Sequence, residues 1–133
     1  MNALDLANSF TGERGQIRDA LDARLGLHEL RDVIRSAFGA ATEGSRPAAA
    51  IVAKLNAVAD TPQLRWGTHG PRLVEEEASE AARTAIELIA SGRLRRCGNP
   101  RCILFFLGQG RRAYCSATCA NRTRVARHAA RRG

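Results

Sequence analysis

The chain has 133 residues and a formal net charge of +8 at pH 7, a length that suits one domain or one domain with a small appendage. It is 44% hydrophobic but only 5% aromatic, so its core must be built mostly from aliphatic side chains, which favours helices over a β-sandwich. The start of the chain does not resemble a signal peptide and no window approaches the roughly 18 apolar residues of a membrane span, which argues against a membrane protein and indicates a cytoplasmic one.

Apolar periodicity predicts helices in the first half of the chain. Residues 4–10 are too short to assign to a helix or a strand. A first helix begins at Leu27, where apolar residues recur at helical spacing, and is expected to end at Gly39. A second helix is expected to be capped by Ser45, with Pro47 in its first turn.

A β-hairpin and a third helix follow. Residues 64–66 and 72–74 flank a glycine-bounded turn, which predicts a hairpin in which Trp66 is a core residue. The third helix is predicted over residues 75–91, and its opening glutamates suit the positive end of a helix dipole. Gly92 follows as the expected C-terminal cap.

The four cysteines of the chain lie close together, at Cys97, Cys102, Cys115 and Cys119. Their spacing, Cys-x4-Cys-x12-Cys-x3-Cys, places two short pairs at a separation typical of a four-thiolate zinc site. In a reducing compartment such a cluster favours a metal over disulfides. The sequence therefore predicts one structural zinc ion with these four ligands.

The residues between the cysteines predict a small zinc module. Turn-forming residues after Cys97 indicate a knuckle, residues 103–107 an apolar strand, and residues 111–114 a return strand. Ser116 is expected to open a helix that carries Cys119. The predicted fold is thus mainly α with a short β-hairpin, followed by a C-terminal treble-clef-like zinc module made of knuckle, hairpin and helix.

Two stretches resemble known families. CGNPRC matches the first knuckle of the CGNR zinc finger family, and CANRTR stands where its name-giving Cys-Gly-Asn-Arg occurs, with Ala120 in place of the glycine. LDLANS and LHELRDVIRSAF are similar to the start and a helix of the ABATE domain, which commonly precedes this finger. The resemblance implies an ABATE-like helical domain over residues 1–92, a CGNR-type finger over residues 93–133, and a stress-linked bacterial transcription regulator.

The distribution of charged residues changes at the boundary between these two parts, after residue 92. Residues 1–92 carry 10 basic and 13 acidic side chains, whereas residues 93–133 carry 11 arginines and no acid. The formal charges are therefore −3 and +11. Such a tail indicates an anionic partner, most commonly nucleic acid. The alternative is a solvated basic face without a partner, although self-repulsion in so cationic a segment argues against it.

A helical wheel of residues 116–132 separates two sets of arginines. Arg122 shares a face with Val125 and Ala129, so this face is expected to pack against the hairpin, and Asn121 and Arg122 are interpreted as structural residues. The opposite face forms an outward stripe suited to phosphates. The predicted nucleic-acid contacts are Arg111, Arg112, Arg124, Arg127, Arg131 and Arg132.

These observations predict a zinc-dependent nucleic-acid binding protein, with double-stranded DNA as the expected partner and transcription regulation as the role. The N-terminal helices are expected to form a homodimer or to sense a small-molecule effector. The alternatives are a zinc-stapled protein–protein interaction module and an RNA-binding protein. No combination of nucleophile, base and oxyanion site is recognisable, so an enzyme is not expected.

Overall fold

The computed structural model describes residues 1–11, 16–23, 26–60, 63–74 and 77–132. Five helices lie in this part of the chain: α1 (Ala3–Ala7), α2 (His28–Thr42), α3 (Ala49–Ala59), α4 (Glu77–Ser91) and α5 (Ala117–Arg132). The strands are β1 (Phe10–Thr11), β2 (Arg18–Asp19), β3 (Gln63–Gly67), β4 (Gly70–Val74), β5 (Leu94–Arg96) and β6 (Phe105–Leu107), which form three antiparallel pairs. The mainly helical fold class is confirmed. None of the described helices is long and apolar enough to cross a lipid bilayer.

Helix α2 is longer than the sequence predicts, because Gly39 does not end it. The helix continues to Thr42, and the chain turns at Gly44, whose φ of 73° is a left-handed conformation that favours glycine. The backbone N–H of Ser45 donates to the carbonyl of Ala40, which closes this turn. Ser45 is therefore part of the end of α2, and its predicted role as the cap of the next helix is wrong.

Helix α3 begins only at Ala49, with Ala48 as a cap that makes no side-chain hydrogen bond. The predicted start near Pro47 is too early, because a residue that precedes proline is disfavoured in the helical region. Only Leu55 of this helix is fully buried, while Val52 is exposed. Helix α3 thus covers the core with a narrow face.

The predicted hairpin and third helix are both present. Strands β3 and β4 pair from Gln63–Val74 to Gly67–Gly70, as the glycine-bounded turn predicts. Trp66, however, is 76% exposed, so its predicted core position is wrong. Helix α4 is followed by Gly92 with a φ of 67°, which confirms the C-terminal cap. The first two residues of the predicted helix, Glu75 and Glu76, lie outside the described residues.

One hydrophobic core joins the helices and the zinc module. Among the described residues, its largest fully buried side chains are those of Leu6, Ile34, Phe38 and Phe105. Phe38 of α2 meets Phe105 of β6 edge to face, with ring centroids 5.5 Å apart. Because Phe105 belongs to the cysteine-rich segment, the zinc module contributes to the core of the helical body.

The hairpin of the zinc module differs from the prediction. Strand β6 pairs with β5, which precedes the first cysteine, in the register Leu94–Leu107 to Arg96–Phe105. Residues 111–114 form no strand, so the predicted return strand is wrong. The carbonyl of Arg112 instead accepts a hydrogen bond from the guanidinium of Arg95 at 2.7 Å. A side chain thereby satisfies a carbonyl that a strand ladder would otherwise bond.

Hydrogen bonds fasten the N-terminal segment to β6. The side chain of Asn8 bonds Phe105 in both directions: its Nδ2 donates to the carbonyl oxygen at 2.8 Å, and its Oδ1 accepts from the N–H at 2.9 Å. The guanidinium of Arg35 donates to the carbonyls of Ala7 at 2.7 Å and Ile103 at 2.8 Å. The position of β6, and with it the second cysteine, is thus set by residues of the helical body.

Candidate metal centre and nucleic-acid interface

The four cysteines meet in one cluster, with all four sulfur atoms within 4.8 Å of one another. The Sγ atom of Cys115 lies 3.7 Å from that of Cys102 and 3.6 Å from that of Cys119. A tetrahedral zinc ion with Zn–S bonds of about 2.3 Å requires sulfur–sulfur edges of about 3.8 Å. The four thiols therefore fit one zinc ion of the closed, structural type.

Four different local structures supply the ligands. Cys97 follows β5, Cys102 ends the knuckle that precedes β6, Cys115 lies in the loop before α5, and Cys119 lies in the first turn of α5. Ser116 begins this helix, because its Oγ accepts the backbone N–H of Cys119 at 3.2 Å. This bond confirms that the helix opens at Ser116, with one ligand fixed in its first turn.

The pKa values of the cysteine thiols also favour a bound cation at this site. Burial raises the pKa of Cys115 to about 11, and burial likewise raises the pKa of Cys102 well above its ordinary value. Burial acts in the same direction on Cys119, but hydrogen bonds from Asn99 and the neighbouring thiols lower its pKa overall. A cluster of two buried and two half-buried thiols is costly to ionise by itself, whereas a coordinated divalent cation deprotonates and holds them.

Residues around the ligands hold the two loops in place. The Nδ2 of Asn99 lies 3.7 Å from the Sγ of Cys119, and the backbone N–H of Cys115 donates to the Sγ of Cys97 at 3.4 Å. The backbone N–H of Gly98 donates to the carbonyl of Ala113 at 2.7 Å. A Cβ at this glycine would lie only 2.9 Å from that carbonyl oxygen, so the close approach of the loops requires glycine.

Arg112 has a structural contact that the sequence did not indicate. Its guanidinium donates to the carbonyl of Tyr114 at 3.0 Å and to that of Cys115 at 2.5 Å. It also lies 5.0 Å from the centroid of the Phe106 ring. These bonds hold the ligand loop, and together with Arg111 the residue borders a shallow depression beside the first turns of α5.

The orientation of α5 differs from the helical-wheel prediction. The buried residues of the helix are Cys119 and Thr123, one turn apart, whereas Val125 is 60% exposed and Arg122 and Ala129 are exposed. The predicted packing of the Arg122 face against the hairpin is therefore wrong. Because Cys119 is held by the cluster, its direction determines which face turns inward, and a wheel centred on this ligand would have identified that face.

The remaining predicted arginines all lie on the exposed surface of α5. Arg124, Arg127, Arg131 and Arg132 are exposed, as is Asn121. Arg127 and Arg122 line a groove between α5 and the knuckle, whereas the lining does not include Arg124 or Arg131. The structure thus divides these arginines between a groove and the open side of the helix.

Two arginines of α2 have structural roles that the apolar periodicity of this helix does not indicate. Arg31 is buried, and its guanidinium forms a bidentate ion pair with Asp19 at 2.7 and 2.6 Å. Hydrogen bonds from Arg31 and from the backbone of Leu21 hold the pKa of the Asp19 carboxyl well below its usual range. Arg35 is half-buried, and its guanidinium lies 5.1 Å from the ring centroids of Phe10 and Phe105.

Comparison with protein families agrees with the two-part architecture. Residues 93–132 match the model of the CGNR zinc finger, and residues 24–92 match the ABATE model, described as "Putative stress-induced transcription regulator". A comparison with curated proteins gives no match. The zinc finger match and the four converging thiols together identify the cluster as the site of one structural zinc ion. Since the ABATE model covers more than half of its length, the chain belongs to the ABATE family and carries a C-terminal CGNR zinc finger.

Proposed function

We propose that the chain binds double-stranded DNA through α5, and that the zinc site fastens this helix to the body of a transcription regulator. One observation carries the proposal. Every residue from 124 to 132, the last nine of α5, is exposed. At 1.5 Å per residue, about 13 Å of helix extends beyond the residues that pack on the protein.

The charge of this extension favours a polyanion. It contains Arg124, Arg127, Arg131 and Arg132, and the chain has no acid after Glu87. A zinc ion with four thiolates carries two net negative charges, which compensate only part of the 11 arginines of residues 93–133. An exposed basic helix has the dimensions that the major groove of DNA admits, and its arginines can neutralise phosphates.

The helical part would supply a second function, homodimerisation or the sensing of a small-molecule effector. Val52 of α3 is 40% exposed, and Leu55 is the buried residue of this helix. The exposed face of α3 also carries Ala53 and Ala57, and a second copy that packed on this face would give the two-fold pairing of many dimeric DNA-binding proteins. Light scattering combined with size exclusion tests it: a dimer that Val52→Glu converts to a monomer supports the pairing, and a monomeric wild-type chain contradicts it.

Salt-dependent binding of the full, zinc-loaded chain tests the main proposal. Fluorescence anisotropy would compare a random-sequence DNA duplex, a single-stranded RNA of equal length and polyglutamate over a range of salt concentrations. We expect the duplex to bind most tightly, with a linear decrease of log K against log salt. Tighter binding of RNA would support an RNA-binding protein, and preference for polyglutamate would support a protein-interaction module, so either result overturns the proposal.

A further inference from the structure

A groove of about 840 Å³ separates the first zinc knuckle from α5. Pro100 and Arg101 of the knuckle lie on one side. Asn121, Arg122, Val125 and Arg127 of the helix lie on the other. The groove exists because α5 extends past the body, so that one side of the helix beyond the buried Thr123 faces the knuckle across open space.

The charged residues of this groove all have the same sign. Arg101, Arg122 and Arg127 are exposed and line it, and no acidic residue is among the described residues that line it. Cationic groups therefore stand on both walls rather than on α5 alone. A concave surface bordered by cations concentrates positive potential and attracts an anion more strongly than a flat surface does.

The uncharged lining residues narrow the chemistry of the anion. Asn121 offers an amide that can both donate and accept hydrogen bonds, as base edges require. Val125, Ala126 and Ala129 present short apolar side chains, which suit contacts with sugars and with the methyl group of thymine. An acidic amphipathic helix would instead need deep apolar pockets for large anchoring side chains. The mixture of guanidinium, amide and small apolar groups therefore favours nucleic acid over an acidic polypeptide.

We infer that the groove between the knuckle and α5 holds one sugar–phosphate strand of the DNA duplex, with Arg101 and Arg127 contacting phosphates from opposite walls. The inference rests on the proposed DNA binding and specifies its contact surface. It assigns to the Arg122 side of α5 a binding role in place of the packing role that the sequence suggested. It also makes the knuckle, through Arg101, part of the interface.

A charge-matched pair of double variants tests the inference. Arg101→Gln with Arg127→Gln removes two cations from the groove, and Arg46→Gln with Lys54→Gln removes two exposed cations from the helical body. If both groove arginines contact phosphates, the slope of log K against log salt should become shallower by about 1.8, at ~0.9 per phosphate. The control should keep the wild-type slope. Zinc content and thermal unfolding verify that both proteins are folded.

A second pair of variants leaves the arginines of the groove unchanged. Val125→Glu places an acid in the groove at an exposed position, and His128→Glu places one at an exposed position of α5 outside the groove lining. We expect Val125→Glu to weaken duplex binding at least tenfold more than His128→Glu does. Each substitution inserts one acid into the same helix, so the difference reports the face that contacts the strand.

The outcomes separate this inference from the proposed function. Duplex binding with an unchanged slope in the groove variant, or equal effects of the two glutamates, would overturn the groove assignment while DNA binding stands. Absence of duplex binding by the wild-type chain would overturn both. If the groove variants lose polyglutamate binding and keep duplex binding, the groove is a protein-docking site and the inference is wrong.

Discussion

Replacement of Asn8 by alanine tests whether the helical body and the zinc finger stabilise each other. The Asn8 side chain bonds both the N–H and the carbonyl of Phe105, at 2.9 and 2.8 Å. These residues are 97 positions apart, and Phe105 is buried in the core next to Phe38. Asn8→Ala removes both bonds without adding bulk, so its effect reports the connection between the two parts.

The structure sets the size of this effect. Deletion of one partner of a buried hydrogen bond costs about 1–3 kcal/mol for each group left unsatisfied. Asn8→Ala leaves two such groups, and Asn8 itself is only half-buried, so water can compensate in part. We therefore expect the free energy of unfolding to fall by about 2–4 kcal/mol, a large fraction of the ordinary stability of a small domain.

Urea-induced unfolding of the zinc-loaded protein, followed by circular dichroism at helix wavelengths, measures this change. Asn56→Ala is the matched control, because Asn56 is exposed on α3 and alanine favours a helix. We expect the control to change stability by less than about 0.5 kcal/mol. If Asn8→Ala behaves like Asn56→Ala, the hydrogen bonds to Phe105 do not join the two parts in solution.

Three further predictions concern the metal, an ion pair and the exposed arginines. Cys102→Ser should abolish stoichiometric zinc binding and also lower the stability of the helices, because Phe105 belongs to the shared core. Elemental analysis measures the zinc and circular dichroism measures the stability. A variant that retains one zinc per chain would contradict the ligand assignment. Asp19→Asn should destabilise the protein at neutral pH, because it leaves Arg31 buried without its partner. The pKa of Asp19 is depressed in the folded state, so the stability that this carboxylate contributes is present above its unfolded pKa of about 3.9 and is lost as the pH falls towards the folded value. The difference in stability between Asp19→Asn and wild type should therefore shrink below about pH 4. A constant difference down to pH 2 would refute the role of this ion pair. Alanine at Arg124, Arg127 and Arg131 together should leave zinc content unchanged and make the salt slope of duplex binding shallower by about 2.7 if all three contact phosphates; an unchanged slope would exclude them from the interface.

The zinc ligands and most helices could be predicted because their signals are local. Two short cysteine pairs specify a metal site by spacing alone, and the stripe that begins at Leu27 predicts α2 without knowledge of its partners. The hairpin of β3 and β4 follows from its glycine-bounded turn. Trp66 was placed wrongly because the pattern defines the strands but not which side of them meets the core.

The pairing of β5 with β6 could not be predicted, because it joins three-residue strands on either side of a knuckle. Segments this short carry no alternation that would distinguish one partner from another. The segment 111–114 appeared equally suitable as a strand, but Arg95 and Arg112 bond its carbonyls through their side chains. Such bonds depend on tertiary positions that the sequence does not display.

The orientation of α5 could not be predicted from the sequence for a different reason. Alanine and valine on the Arg122 side suggested a buried face, yet small apolar residues are common on exposed surfaces. The inward face is fixed by the zinc ligand Cys119 and by Thr123, whose hydroxyl donates to the Cys119 carbonyl at 2.9 Å. Arg31 was missed for the converse reason: it lies on the buried stripe of Leu27, Ile34 and Phe38, where a charged residue is expected to be paired.

The claim that zinc fixes α5 for DNA binding is tested most directly by titrating zinc into the metal-free full chain while duplex DNA binding is measured by anisotropy. The account predicts that duplex binding is absent or weak without metal, increases in proportion to added zinc, and reaches its maximum at one zinc per chain, because the four thiols form a single site. Full-strength duplex binding by the metal-free chain, with no change on addition of zinc, would contradict it.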